Sequence, residues 1–139
     1  MQRDPMIKYG IAALLVFGAT AANAQTCSSN FTISGGLAPA ISTWDVFPGL
    51  SPAKAIDNLT RTAHLNSYWV GIKVNRRLGL LTALNDGARN GRVQEVKMVA
   101  RKRGNATRVD YTMILNPGQI PGPDFRSDVC RIIHSAAGG

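Results

Sequence analysis

Around Gly104-Asn105 the chain folds back on itself in one register only. Residues 92–102 and 106–115 each alternate apolar with polar side chains, the period of a half-buried strand. With Gly104-Asn105 as a two-residue turn, Val96 meets Met113, Met98 meets Tyr111, and Ala100 meets Val109. Every pair on that face is apolar. A slip of one residue would set Ala100 against Arg108 and turn one strand's apolar set to solvent, which a one-sided sheet does not tolerate.

The same logic reads residues 68–74 and 79–85 as a second hairpin around a turn at 75–78, with Ile72 opposite Leu81 and Val70 opposite Ala83. Four antiparallel strands would then turn Tyr68, Val70, Ile72, Leu81, Ala83, Val96, Met98, Tyr111 and Met113 to one side. Upstream, Ser51-Pro52 is an N-cap followed by proline at the first helical position, and Ala55, Ile56, Leu59 and Ala63 recur at helical spacing as far as Asn66. That stripe is the natural cover for the apolar face. Past the breakers at 116–118 and 121–123, Phe125, Val129, Ile132 and Ile133 mark a second helix. The expected fold is α+β: a four-stranded antiparallel meander covered on one face by a helix, with a second, C-terminal helix and one disulfide. Residues 51–134 form the domain core, residues 25–50 an extended N-terminal segment of unassigned pairing, and residues 135–139 a tail that frays.

The order helix, four-strand meander, helix across residues 51–134 resembles the helix-on-antiparallel-sheet domains of small exported bacterial proteins, with an outline like that of BamC-type assembly lipoprotein domains and cystatin-like folds. The resemblance is one of layout. The Gln-x-Val-x-Gly loop of cystatin inhibitors is absent, since Val93-Gln94-Glu95-Val96-Lys97 lacks its second spacing and its glycine. It therefore implies a fold and no functional residue.

Residues 1–24 read as a secretory leader: a positive start at Lys8, an apolar run from 11 to 17, and Ala22-Asn23-Ala24 as a small-x-small site, with cleavage between Ala24 and Gln25. The stretch from Tyr9 to Ala24 holds 16 residues, short of the roughly 20 apolar residues of a spanning helix. Gln25 and Thr26 before Cys27 fit a lipid-modification site poorly, and translation from Met6 suits the leader as well as translation from Met1. Export to an oxidising compartment makes Cys27 and Cys130 a disulfide, for neither lies in a C-x-x-C.

After such cleavage the chain carries 14 Lys and Arg against 7 Asp and Glu. Most of the surplus lies between Arg89 and Arg108, where seven cations face Glu95 alone. Alternation puts Lys97, Arg101, Arg103 and Arg108 on the sheet face away from the helix, with Arg101 directly opposite Arg108. One reading of those cations is a solvated strand surface that discourages edge pairing. The other is a binding surface for phosphate or carboxylate. The same face would carry Trp69, Leu80, Leu84, Val99 and Ile114, to be covered by the N-terminal segment or the C-terminal helix, or else by a partner.

Catalytic signals are sparse. His64 and His134 fall near helix ends, where an imidazole meets the last carbonyls and the negative end of the dipole. No G-x-S-x-G, H-E-x-x-H or P-loop motif occurs, and Asp45, Asp86 and Asp128 are far apart in sequence. No cofactor or metal site is expected. The functional expectation is a small non-enzymatic binding protein of the periplasm, without a membrane span after cleavage. It would hold an anionic envelope component (lipid headgroup, lipopolysaccharide or peptidoglycan) through Lys97, Arg101, Arg103 and Arg108. The alternative is a protein–protein interaction or inhibitor module bound to an envelope protein, and a small hydrolase using a histidine ranks third. Nucleic acid is disfavoured by the compartment and by the scarcity of aromatics in the basic segment.

Overall fold

The computed structural model describes residues 26–87 and 92–138. The leader and its cleavage site at Ala24–Gln25 lie outside the described residues. Six strands, β1 (Thr32–Ser34), β2 (Ala40–Pro48), β3 (Trp69–Asn75), β4 (Leu80–Asn85), β5 (Gln94–Arg103) and β6 (Ala106–Ile114), form one antiparallel sheet in the order β1-β2-β6-β5-β4-β3. Two helices, α1 (Pro52–Leu65) and α2 (Phe125–His134), complete the α+β fold.

The sheet is larger than the expected four-stranded meander. The β1–β2 hairpin joins it through β6, with Ile41 opposite Met113 and Phe47 opposite Thr107. The reason is chemical: β2 turns Ile41, Thr43, Asp45 and Phe47 to the helix side, and two of those four are polar. Thr43 is fully buried because its hydroxyl donates to the Cys27 carbonyl at 2.6 Å, so a polar residue fills a core position without an unmet hydrogen bond.

The β5–β6 register is as the alternation requires, from Val96 opposite Met113 to Arg101 opposite Arg108. The β3–β4 register is not. Val74 opposes Leu81, and a bulge sets Gly71 and Ile72 against Ala83 alone, so that Val70 faces Leu84. Gly71 adopts φ +59°, the left-handed geometry that a glycine bulge uses. The extra residue flips the strand N-terminal to it. Trp69 is consequently buried in the core, whereas Tyr68 and Val70, expected inside, are exposed.

α1 starts as its sequence dictates. The Ser51 side chain accepts from the Lys54 amide at 3.2 Å and Pro52 opens the first turn. Its stripe of Ala55, Ile56, Leu59 and Ala63 has no solvent exposure at all. Ile56 and Leu59 together stabilise the fold by about 3–6 kcal/mol as burial energies go. α2 lies on the same side, over β2 and β6, and buries Val129 and Ile133. Among the described residues, neither helix nor the N-terminal segment covers the opposite face of the sheet, where Val70, Leu84 and Ile114 stay exposed, so the internal cover expected as one alternative is not found.

Cys27 and Cys130 are joined, with Sγ atoms 2.03 Å apart. The chain does not fray after α2: Ser135–Ala137 make a 3-10 turn packed on α1. The buried Asn58 amide donates to the Ala136 carbonyl at 2.8 Å, and Thr62 donates to the Ser135 hydroxyl at 2.7 Å.

Candidate anion-binding face

Three connections meet at one end of the sheet. The Gly49 amide donates to Asn105, binding the β2–α1 link to the β5–β6 turn at 2.9 Å. The Ala100 amide donates to the Gly79 carbonyl at 2.8 Å, laying the β3–β4 turn beside β5. Gly79 has φ +62°, and a Cβ there would strike the Ala100 carbonyl, so only glycine permits the approach. The folding thus brings the Arg76-Arg77 turn and the link into α1 to the same end of the sheet as the β5–β6 turn, although neither joins the groove that Arg101 and Arg108 line. Among the described residues, Asp57 pairs with Arg76 and Asp110 with Arg108. Lys54, Arg77, Arg101, Lys102 and Arg103 have no acidic partner among them.

Arg101, Lys102, Arg103, Arg108 and Asp110 line an open groove of about 430 Å³. Lys97, Arg101, Arg103 and Arg108 all belong to the outer face of the sheet, as the alternation requires, but they are not equivalent. Arg108 folds back along its own strand. Its Nη2 donates to Asp110 Oδ1 at 2.8 Å, its Nε lies 3.1 Å from both carboxylate oxygens, and its guanidinium stacks 4.2 Å from the Trp44 ring centre. That arrangement neutralises it and fixes its plane. Arg101 and Arg103 stand exposed beside it. The i,i+2 spacing of Arg108 and Asp110, which puts both on one strand face, was the sequence signal for this pairing; Trp44 had none, lying in a strand whose pairing was unread.

Beyond the groove the outer face is banded. Nearest it lie Trp44, Asp110, Val99, Leu80 and Asn75 in one row across the strands. Ser42, Thr112, Lys97, Thr82 and Lys73 form the next. Then come Val70, Leu84 and the exposed Glu95 in line on one side, and Ile114 with Ala40 on the other. Lys73 and Lys97 are both exposed.

The histidines part company. His64 is exposed near the end of α1. His134 instead reaches β2, its Nε2 2.8 Å from Asp45 Oδ2. That carboxylate also accepts from the Cys27 amide at 3.1 Å through Oδ2 and from the Val46 amide at 2.8 Å through Oδ1. The nearest hydroxyl in sequence, Ser135, donates to the Ile132 carbonyl at 2.6 Å. The pair therefore works as a tie between α2, β2 and the disulfide. At the far end of the sheet, Asn85 Nδ2 donates to Gln94 Oε1 and Gln94 Nε2 to Gln119 Oε1, a chain of carboxamides that holds the β6–α2 loop. No group of three or more metal-ligating side chains occurs among the described residues, and no helix there is long and apolar enough to cross a membrane.

No protein-family model and no curated protein matches the chain. Among solved structures it is similar to Ara h 8.0201 at 12% identity, over 71% of this chain and 96% of that one, with a TM-score of 0.44. It is also similar to TTHA0849 from Thermus thermophilus at 12% identity, over 72% and 92%, with a TM-score of 0.39. Both are distant in sequence and in shape.

Proposed function

We propose that this is an exported, non-enzymatic binding protein of the periplasm that holds an anionic envelope component through the basic end and outer face of its sheet. The observation that carries the reading is the groove at Arg101 and Arg103. There the adjacent Arg108 is neutralised by Asp110, while the two neighbouring guanidiniums are exposed and free of acidic partners. Cations with no internal partner, gathered on one hairpin, suit phosphate or carboxylate recognition better than they suit stability. Export is supported by the leader and by the disulfide, which belongs in an oxidising compartment.

Inorganic tripolyphosphate is a suitable probe because it offers the chemistry without any lipid or glycan. Titration calorimetry at low salt should show binding that weakens steeply as salt is added. The Arg101→Glu/Arg103→Glu variant should lose about tenfold or more in affinity. Unchanged affinity in that variant would remove the groove from the account.

A further inference from the structure

We propose, resting on the anion-binding reading, that the outer face of the sheet is a docking surface for an anionic lipid bilayer. The cations at its edge would engage headgroup phosphates while the exposed aliphatics flanking Glu95, Val70 with Leu84 and Ile114, enter the interface.

The face meets three requirements together. It is broad: six strands at about 4.8 Å spacing span roughly 24 Å. It is cationic on balance, with Lys73, Lys97, Arg101 and Arg103 exposed against Glu95, while Arg108 and Asp110 cancel. It is also apolar, for Val70 is 47% exposed and Ile114 55%, with Leu84 beside Val70. Exposed aliphatics between lysines are the composition of a surface that lies in a headgroup layer, where lysine stems lie along the apolar atoms and the ammonium groups reach phosphate.

Other occupants fit less well. A protein partner would set Lys73 and Lys97 in the middle of its footprint, and lysine is depleted from the cores of such interfaces. A nucleic acid strand needs ring faces for stacking. Trp44 is the aromatic among the strand residues of this face, and Arg108 occupies one side of its ring. A bilayer asks for neither. It supplies distributed negative charge to complement the free cations, each worth roughly fivefold in affinity at such a surface.

The test is co-sedimentation of the disulfide-bonded protein with phosphatidylglycerol–phosphatidylcholine vesicles, with phosphatidylcholine vesicles as control and tripolyphosphate binding measured in parallel. The wild type should sediment with the anionic vesicles and stay in solution with the control. Lys73→Glu/Lys97→Glu should lose about twentyfold or more. Val70→Thr/Leu84→Thr, both at exposed positions and without change of charge, should lose about fivefold or more while keeping its tripolyphosphate affinity and its thermal melt. If the wild type binds tripolyphosphate but no anionic vesicle, the bilayer is wrong and the anion-binding reading stands. If neither is bound, both fall. Vesicle binding abolished by Arg101→Glu/Arg103→Glu but untouched by the other two variants would confine contact to the tip and overturn the face. An oligothymidylate that displaces the vesicles at equal charge concentration would overturn the lipid in favour of nucleic acid.

Discussion

Asp45 and His134, 89 residues apart in sequence, sit 2.8 Å from each other and fasten the C-terminal helix to the second strand. The carboxylate serves both sides of that joint, for it also receives the amide of the disulfide-bonded Cys27 and that of Val46. His134 is half exposed and so contributes less than the backbone bonds, whose loss leaves a partly buried amide unsatisfied.

Asp45→Ala should therefore cost about 1–3 kcal/mol of unfolding free energy. His134→Ala should cost at most about 1 kcal/mol, since its bond is partly solvated. Urea denaturation of the two variants checks the ranking, and an equal or reversed order would show that the joint depends on the imidazole.

The bridge between Cys27 and Cys130 closes a loop of 103 residues. Chain-entropy arguments give about 4.7 kcal/mol for a loop near that length. Cys27→Ala/Cys130→Ala should thus lower stability by up to about 5 kcal/mol, and mass spectrometry of the unreduced wild type should find no alkylatable thiol.

Asp110 competes with any external anion for Arg108. Asp110→Asn should strengthen tripolyphosphate binding about fivefold at low salt, since one charge at about 4 Å in water is worth about 1 kcal/mol. Calorimetry reads this directly, and a weaker complex would mean that Asp110 positions the arginine for its ligand.

Burial pushes the Tyr111 phenol well above its ordinary value of about 10. The folded state therefore holds the proton more tightly than the unfolded chain. Stability is fully present below about pH 10 and declines as pH rises past it, because the unfolded phenol ionises first. Tyr111→Phe should flatten that alkaline decline, as thermal melts between pH 8 and 11 would show.

The β5–β6 hairpin was legible because both of its strands bury one face and its turn holds two residues, so a single register satisfies every pair. α1 was legible from Ser51, Pro52 and its stripe. β2 was not, since Thr43 and Asp45 occupy inward positions that read as polar and are satisfied by Cys27 and His134, partners far off in sequence. Trp69 was assigned to the wrong face because alternation alone cannot announce the extra residue at Gly71. The cations of the site were visible in the sequence. The approach of the Arg76-Arg77 turn to the same end of the sheet has no periodic signal, because it depends on the Gly79–Ala100 contact.

The place of β2 in the sheet sets an order of assembly. Its partner β6 follows it by 58 to 74 residues, and β6 also pairs with β5 at the centre of the sheet. The first hairpin of the emerging chain therefore waits, one long edge open, until most of the polypeptide has been delivered. Cys27 waits longer still, for Cys130 follows it by 103 residues and lies beyond β6, in α2. The covalent bond thus becomes available to the emerging chain only after every strand of the sheet has been delivered.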